Sequence, residues 1–372
     1  MTPGGVRDSG GSPHYGGDVA LRTRPTAEDQ IRFIASVEHV LAGGSFVATY
    51  KYALLIALVD LAIEHGDDSN DELPLRVETI ADKFAELYWR QSVPYCAGDE
   101  VGHGFLLHQN AGRQAKAIRL LATLHGQAPT LAAARRSAHW KPLVAEMRVL
   151  LQNMPLWKLQ RVGREYVEFL YRKGPRPGWI TLLPGVAAHL RERAPLIRRL
   201  AQTEWLRFVL GLKQNQGALG AATGLSEFLF GSSRAALSYR LARPLRELHE
   251  GRCFYCRRGL TKASAVDHFI PWSMYPRDLV HNLVIAHASC NADKSDLLGG
   301  EEHLERWVGF VKERDRDLAR VGAEAGLLVD RATTVAVAAW SYEQAERVDA
   351  QVWLGRRRYG HLTGGWRVLV AA

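Results

Sequence analysis

Cys253-Phe254-Tyr255-Cys256 opens a segment in which metal-binding residue types return at fixed spacings. Val266-Asp267-His268-Phe269-Ile270-Pro271-Trp272-Ser273 follows, then His281-Asn282-Leu283-Val284, then His287-Ala288-Ser289-Cys290-Asn291-Ala292-Asp293-Lys294. Two thiolates separated by two residues can grip one ion from a tight turn. His287 and Cys290 repeat that spacing downstream. Together Cys253, Cys256, His287 and Cys290 make a Cys3His set, suited to tetrahedral structural Zn2+. Between the two pairs, Asp267-His268 joins a hard oxygen donor to the side chain that titrates nearest neutral pH. Adjacent residues of a strand face opposite sides. For both to serve one site, a pleat or bulge is expected there.

The order of these elements resembles the HNH endonuclease superfamily, whose fold is a ββα-metal finger. That pattern runs Cys-x2-Cys, Asp-His-x2-Pro, Asn-Leu, a second knuckle, then Asn-x2-Lys, and residues 253–294 match each element in turn. His268, Asn282 and Asn291 occupy the three positions that name the family. The resemblance implies phosphodiester hydrolysis, with His268 as general base. It also implies that Asp267 and Asn291 hold a catalytic Mg2+ or Mn2+, and that Asn282 braces the loop. The family's second pair is usually Cys-x2-Cys. His287 is therefore either the fourth zinc ligand, the preferred reading, or a further catalytic histidine. Lys294, one helical turn beyond Asn291, and Arg257 and Arg258 in the knuckle turn are candidates for contact with flanking phosphates.

Bulk properties agree with a nucleic-acid partner without requiring one. The net charge is +9 and the sequence pI about 9.5, which favours polyanions. Four cysteines in 372 residues, three of them within 253–290, make a poor disulfide framework and a good metal site. A reducing cytoplasm fits that usage. Cys96, far from the others, reads as a small buried residue. No signal pattern begins the chain, and its most apolar run, Tyr52–Ile63, is short for a membrane span and carries Asp60.

The expected fold class is mainly α. Residues 1–25, rich in Gly, Ser, Pro and Arg, read as a disordered leader. Residues 26–234 read as a helical domain for nucleic-acid or partner binding, with Thr26 capping its first helix. Its helices are expected near 26–43, 46–65, 78–91, 111–124, 142–151, 155–173, 184–193 and 195–212, with one short strand at 73–77. That order suits an irregular bundle better than a winged helix. Within it, residues 131–213 hold 16 Lys or Arg against 5 Asp or Glu. Interleaved aromatics, Trp157 and Tyr166 among them, make that stretch a candidate nucleic-acid surface. Tyr166, Phe169 and Leu170 instead fit one helical core face. The finger domain is expected over 235–300, and a mainly helical segment over 301–372, with helices at 301–320 and 342–352.

The leading functional expectation is a metal-dependent DNA endonuclease, by analogy in bacterial restriction or anti-phage defence with partner proteins of such a system. The alternatives are a non-catalytic zinc module binding DNA or protein, and an RNA-cleaving nuclease. The first would not need Asp267, His268 and Asn291 together. The second stays open because backbone contacts carry no selector for deoxyribose.

Overall fold

Thr26 and Asp29 close a reciprocal capping box: the Thr26 hydroxyl accepts from Asp29 N at 3.2 Å, and Asp29 Oδ2 accepts from Thr26 N at 3.0 Å. From there the computed structural model describes residues 24–371, apart from 44–46, 97–103, 163, 220–223, 232–233 and 262. Nearly all of the expected leader lies outside the described residues.

The first half comprises α1 (Ala27–Gly43), α2 (Tyr50–His65), β1 (Leu73–Arg76), α3 (Val77–Trp89), α4 (Lys116–His125), α5 (Leu131–Arg136), α6 (Trp140–Asn153) and α7 (Pro155–Lys158). Then come β2 (Arg161–Val162), β3 (Glu165–Tyr166), β4 (Tyr171–Lys173), β5 (Trp179–Leu182), α8 (Val186–Glu192), α9 (Ala194–Gly211), α10 (Gln216–Leu219) and α11 (Leu225–Phe230). The second half holds α12 (Arg234–Leu248), β6 (Ser264–His268), β7 (Leu283–His287), α13 (Ala288–Lys294), α14 (Glu301–Glu313), α15 (Asp315–Ala325), α16 (Arg331–Arg347), β8 (Val352–Gly355), β9 (Arg358–Gly360) and α17 (Trp366–Ala371). The fold is mainly α, as expected.

Helix α2 is apolar all round and buried along most of its length, with α3, α8 and α9 packed against it. Asp60, in its interior, is paired with Arg198 of α9 at 2.6 Å, because a buried carboxylate needs a partner.

The helix expected over 155–173 is a single turn. Gln160, fully buried, stops it: its Oε1 accepts from the main-chain N–H of Phe169, Leu170 and Tyr171, and its Nε2 donates to Tyr171 O. Those backbone groups are thereby claimed for a meander. β5 lies between β1 and β4 in an antiparallel sheet, so the region is helical with a sheet cap rather than a pure bundle. Tyr166 is consequently half-exposed on a strand, while Leu170 is buried. Cys96 is exposed, not buried. Residues 301–320 are two helices broken at Arg314, the helix expected over 342–352 ends at Arg347, and a β8–β9 hairpin follows.

The finger does not hang free. Its loop between β6 and β7 enters the helical region: Arg277 donates to Glu64 Oε1 at 2.9 Å and to Glu86, and Tyr275 donates to Glu64. Lys83 completes this buried cluster with a 2.5 Å contact to Glu64. Burial alone would raise the Glu64 carboxyl, but Lys83 and Arg277 outweigh it and hold the group at about 2. On the other side, Tyr342 of α16 donates to Gly299 O at 2.5 Å, and Gly300 N donates to Trp353 O of β8 at 2.8 Å.

Candidate active site

β6 and β7 pair antiparallel in regular register from Ser264–His287 at one end to His268–Leu283 at the other. At 3.3 Å per residue the two ends stand roughly 13 Å apart. Helix α13 starts at the first end and runs back toward the second.

At the first end, Cys253 N donates to Arg258 O and Arg257 N to Cys253 O, folding the knuckle turn. Arg257 takes a left-handed φ of 64° there, a conformation that costs a non-glycine residue and persists only where its surroundings hold it. Phe254 N donates to Ile285 O, which seats the turn on β7. Cys253, Cys256, His287 and Cys290 then offer donor atoms all within 4.8 Å of one another. Cys256 Sγ is 3.3 Å and Cys290 Sγ 4.0 Å from His287 Nδ1. Tetrahedral Zn2+, with bonds near 2.3 Å to sulfur and 2.0 Å to nitrogen, spaces its donors by roughly 3.5–3.8 Å. His287 Nε2 lies 2.9 Å from Gly259 O. A carbonyl only accepts, so Nε2 carries the proton and Nδ1 turns its lone pair to the sulfurs.

The charge balance of the cluster agrees. Burial and the neighbouring thiols of Cys253 and Cys256 push the Cys290 thiol up to about 12. Cys256, against the push of its partial burial, is drawn below its usual value by the Arg258 N–H and its neighbours. Crowded thiols cannot all ionise without a cation among them, and a zinc ion would supply it.

At the second end is a cleft of about 260 Å3 bordered by Asp267, His268, Pro271, Trp272, Asn291 and Asp296. The expected bulge is absent. Both side chains reach the cleft because the strand stops at His268, where the chain leaves the sheet. Asp267 Oδ2 accepts from Tyr255 OH at 2.5 Å and lies 3.3 Å from Lys294 Nζ. Both contacts fall on Oδ2, so Oδ1 is the oxygen without a protein partner among the described residues. His268 Nε2 is 3.0 Å from Asp278 Oδ1. The carboxylate accepts there, which leaves Nδ1 as the basic ring nitrogen.

Asn282 lies beneath. Its Oδ1 accepts from Ile270 N at 2.7 Å and its Nδ2 donates to Ile270 O at 2.9 Å, while its own carbonyl accepts from Phe269 N. Asn282 thus clamps the two residues after His268, Ile270 through its amide and Phe269 through its main-chain carbonyl. Asn291 sits on α13 next to Cys290 and faces the cleft. The expected phosphate contact by Lys294 is not met: the side chain is fully buried, and Nζ donates to His268 O at 3.1 Å. It joins the end of α13 to the end of β6. Arg257 and Arg258 are exposed at the knuckle end. His281 is buried against Asp315 at 2.9 Å and does not border the cleft.

Three features of the site carry no sequence motif strong enough to announce them. Asp278 is ten residues from His268 with nothing to mark it. Tyr255 lies inside the knuckle, yet reaches the Asp267 carboxylate. Arg356 and Arg357 form the turn between β8 and β9 and Arg358 begins β9, all three exposed; the hairpin is bound to α13 where Arg357 N and Trp353 Nε1 donate to Asp293 Oδ2 at 2.8 and 2.9 Å. The run of arginines was the visible signal there. In the basic stretch 131–213, Arg191 and Arg198 are buried in ion pairs. Trp157 is exposed, with Lys158 and Arg161 over its ring.

Residues 254–299 match the HNH endonuclease family. That match and the Cys3His cluster define a nuclease-type module of the zinc-binding subtype, a class that works on nucleic acid. No curated protein and no solved structure matches the chain. Among the described residues no helix is long and apolar enough to cross a membrane.

Proposed function

We propose that this chain is a divalent-metal-dependent endonuclease that hydrolyses phosphodiester bonds in DNA. One observation carries the reading: Asp267, His268 and Asn291 border a single open cleft. His268 Nδ1 takes the proton of a water that attacks the phosphorus, while Asp278 fixes the ring and offsets the positive charge it gains. Asp267 and Asn291 offer the oxygen donors that suit Mg2+ or Mn2+, leaving its other positions to water and phosphate. Such a cation supplies positive charge to the scissile phosphate and the departing 3′ oxygen. Asn282, Lys294 and Tyr255 position these groups without touching substrate. Arg356–Arg358, with Arg257 and Arg258, are placed to neutralise flanking phosphates. The role in restriction or anti-phage defence, and any protein partner of such a system, rest on analogy of architecture.

Plasmid DNA incubated with the zinc-loaded protein and Mg2+ or Mn2+ is expected to be nicked or linearised. His268→Ala should lower the rate about 10^2- to 10^4-fold with the fold and zinc content retained. Undiminished cutting by that variant removes His268 from the mechanism. Absence of cutting by wild type, with DNA binding intact, leaves a binding module. A structured RNA run in parallel decides the substrate.

A further inference from the structure

Asp278 holds His268, yet it does not hold itself in place. Pro276, Arg277 and Asp278 lie in no helix, strand or turn, and Asp278 makes no main-chain hydrogen bond among the described residues. The loop between β6 and β7 is pinned elsewhere. Near its start, Asn282 clamps Ile270, and Met274 N donates to Pro271 O. Beyond Asp278, Val280 N donates to Leu328 O. Between Met274 and Val280 the fixed points are side chains, those of Tyr275 and Arg277, which are buried in the helical region. Arg277 Nη1 donates to Tyr275 OH at 2.9 Å and Arg277 N to Tyr275 O at 2.8 Å, so the two residues move as one unit.

Glu86 of α3 is the directional anchor of that unit. Its Oε1 accepts from Arg277 Nε at 2.5 Å and its Oε2 pairs with Arg277 Nη2, a two-pronged match of carboxylate and guanidinium. Such a planar fork fixes orientation as well as distance. Glu64 of α2 takes the remaining prong, Nη1, at 2.9 Å. Glu86 is held in turn by Arg135 Nη2 of α5 at 2.9 Å. A run of contacts therefore leads from α5 through Glu86 to Arg277, then along the chain to the next residue, Asp278, and so to His268.

We propose that Glu86 is a positioning residue for the cutting site: by gripping Arg277 it sets Asp278 against the His268 ring. The helical region is then a buttress of the active site, and the finger depends on it for the orientation of its base. Glu86 touches neither substrate nor metal in this account and acts only through Arg277 and Asp278. The inference rests on the reading of His268 as general base, so its test includes a measurement that needs no cutting.

The test uses the full-length, zinc-loaded protein as wild type, Glu86→Gln, Asp278→Asn and the double variant. Glu86→Gln keeps the volume and one acceptor but turns an NH2 toward the guanidinium, which breaks the fork. Arg277 retains Glu64 and Tyr275, so zinc content and circular dichroism should be unchanged. The kcat for plasmid DNA should fall about tenfold with KM unchanged, since a misplacement of about 1 Å near the chemistry can cost 10^2-fold. In the double variant kcat should be no lower than in Asp278→Asn alone, because the path runs through Asp278. Losses that multiply, or an unchanged kcat in Glu86→Gln, overturn the proposal. Glu86→Asp keeps the charge but draws it back by one methylene. It should fall between wild type and Glu86→Gln, and it carries the test alone if the amide loosens the fold. Independently of cutting, the His268 Nε2 proton is followed by NMR and assigned by its absence in His268→Ala. Bonded to Asp278, it should exchange slowly with water in wild type and about tenfold faster in Glu86→Gln. Equal exchange in the two overturns the proposal whether or not the protein cuts. Faster exchange in a protein that cuts nothing upholds the positioning and sinks only the nuclease reading.

Discussion

The two ends of the β6–β7 hairpin carry opposite kinds of chemistry on the same pair of strands. Around His287, three sulfurs and an imidazole close on one point, with no donor left over. Around His268, hard oxygen and nitrogen donors border an open cleft. A closed soft site can only hold, whereas an open hard site has room for water and phosphate. Two connections join them. Helix α13 carries Cys290 and Asn291 side by side, and Tyr255 reaches from between the knuckle cysteines to Asp267. The knuckle is therefore the jig for the cleft.

The largest effect expected from breaking that pairing is loss of zinc. Structural zinc supplies on the order of 10 kcal/mol to a small module. Cys253→Ser, or a strong chelator, should melt the finger and abolish cutting. The helices of residues 27–211 should keep their circular dichroism and a separate melt. Intact cutting without zinc would break the link between the two ends.

The next largest lies at the docking of the finger on the helical region. Glu64→Gln leaves Lys83 and Arg277 buried with their shared partner neutral, which costs about 3–5 kcal/mol for a broken buried pair. The pH dependence is definite in sign. Glu64 sits at about 2 in the fold against 4.5 for its ordinary value, so the unfolded chain binds the proton more readily. Its contribution, on the order of 3 kcal/mol, is complete above about pH 4.5 and is lost as pH falls toward 2. Glu64→Gln should lower the urea midpoint at pH 7 and flatten that acid limb. A variant as acid-sensitive as wild type would show that the network does not anchor the finger.

The contrast also explains what the sequence made legible. Metal ligands and the residues beside them are short, local and chemically restricted. Cys253, Cys256, His287 and Cys290 could therefore be grouped in one cluster from their spacing, and Asp267, His268 and Asn291 at one cleft from the family pattern that lies between and beside them. Their elements followed, because zinc ligands at the ends of strands and helices leave few geometries. Asp278 could not be found, because nothing local distinguishes it from a loop acid; only the folded loop sets it against His268. Lys294 misled for the same reason. A lysine one turn past Asn291 is exposed on an isolated helix, but here the helix end is pressed onto β6. Residues 155–173 failed because buried Gln160 competes for backbone groups that helical propensity would have spent within a helix.

Asp278→Asn sharpens the comparison within the cleft. An amide in place of the carboxylate no longer offsets charge on the ring, and its NH2 can favour the wrong tautomer. A fall of about 10- to 100-fold in kcat is expected, with KM for DNA and zinc content unchanged, and with partial rescue by Asp278→Glu. A change in KM alone would assign Asp278 to DNA binding instead.

The smallest effect asks which end of the hairpin the DNA crosses. Replacing Arg356, Arg357 and Arg358 by alanine leaves untouched the main-chain N–H that ties the turn to Asp293, so the fold should be unchanged. Affinity for DNA should drop uniformly across sequences. The slope of log K against log salt should become shallower by about one for each phosphate that the variant no longer neutralises. Cutting at low salt should persist. Arg257→Ala with Arg258→Ala, at the knuckle end, provides the matching measurement. If the hairpin triple carries the larger change in slope, the duplex lies over α13 and the cleft. If the knuckle pair does, the duplex runs along the hairpin from the zinc end, and the strand length between the two sites, roughly 13 Å, sets how far from the cut its phosphates are held.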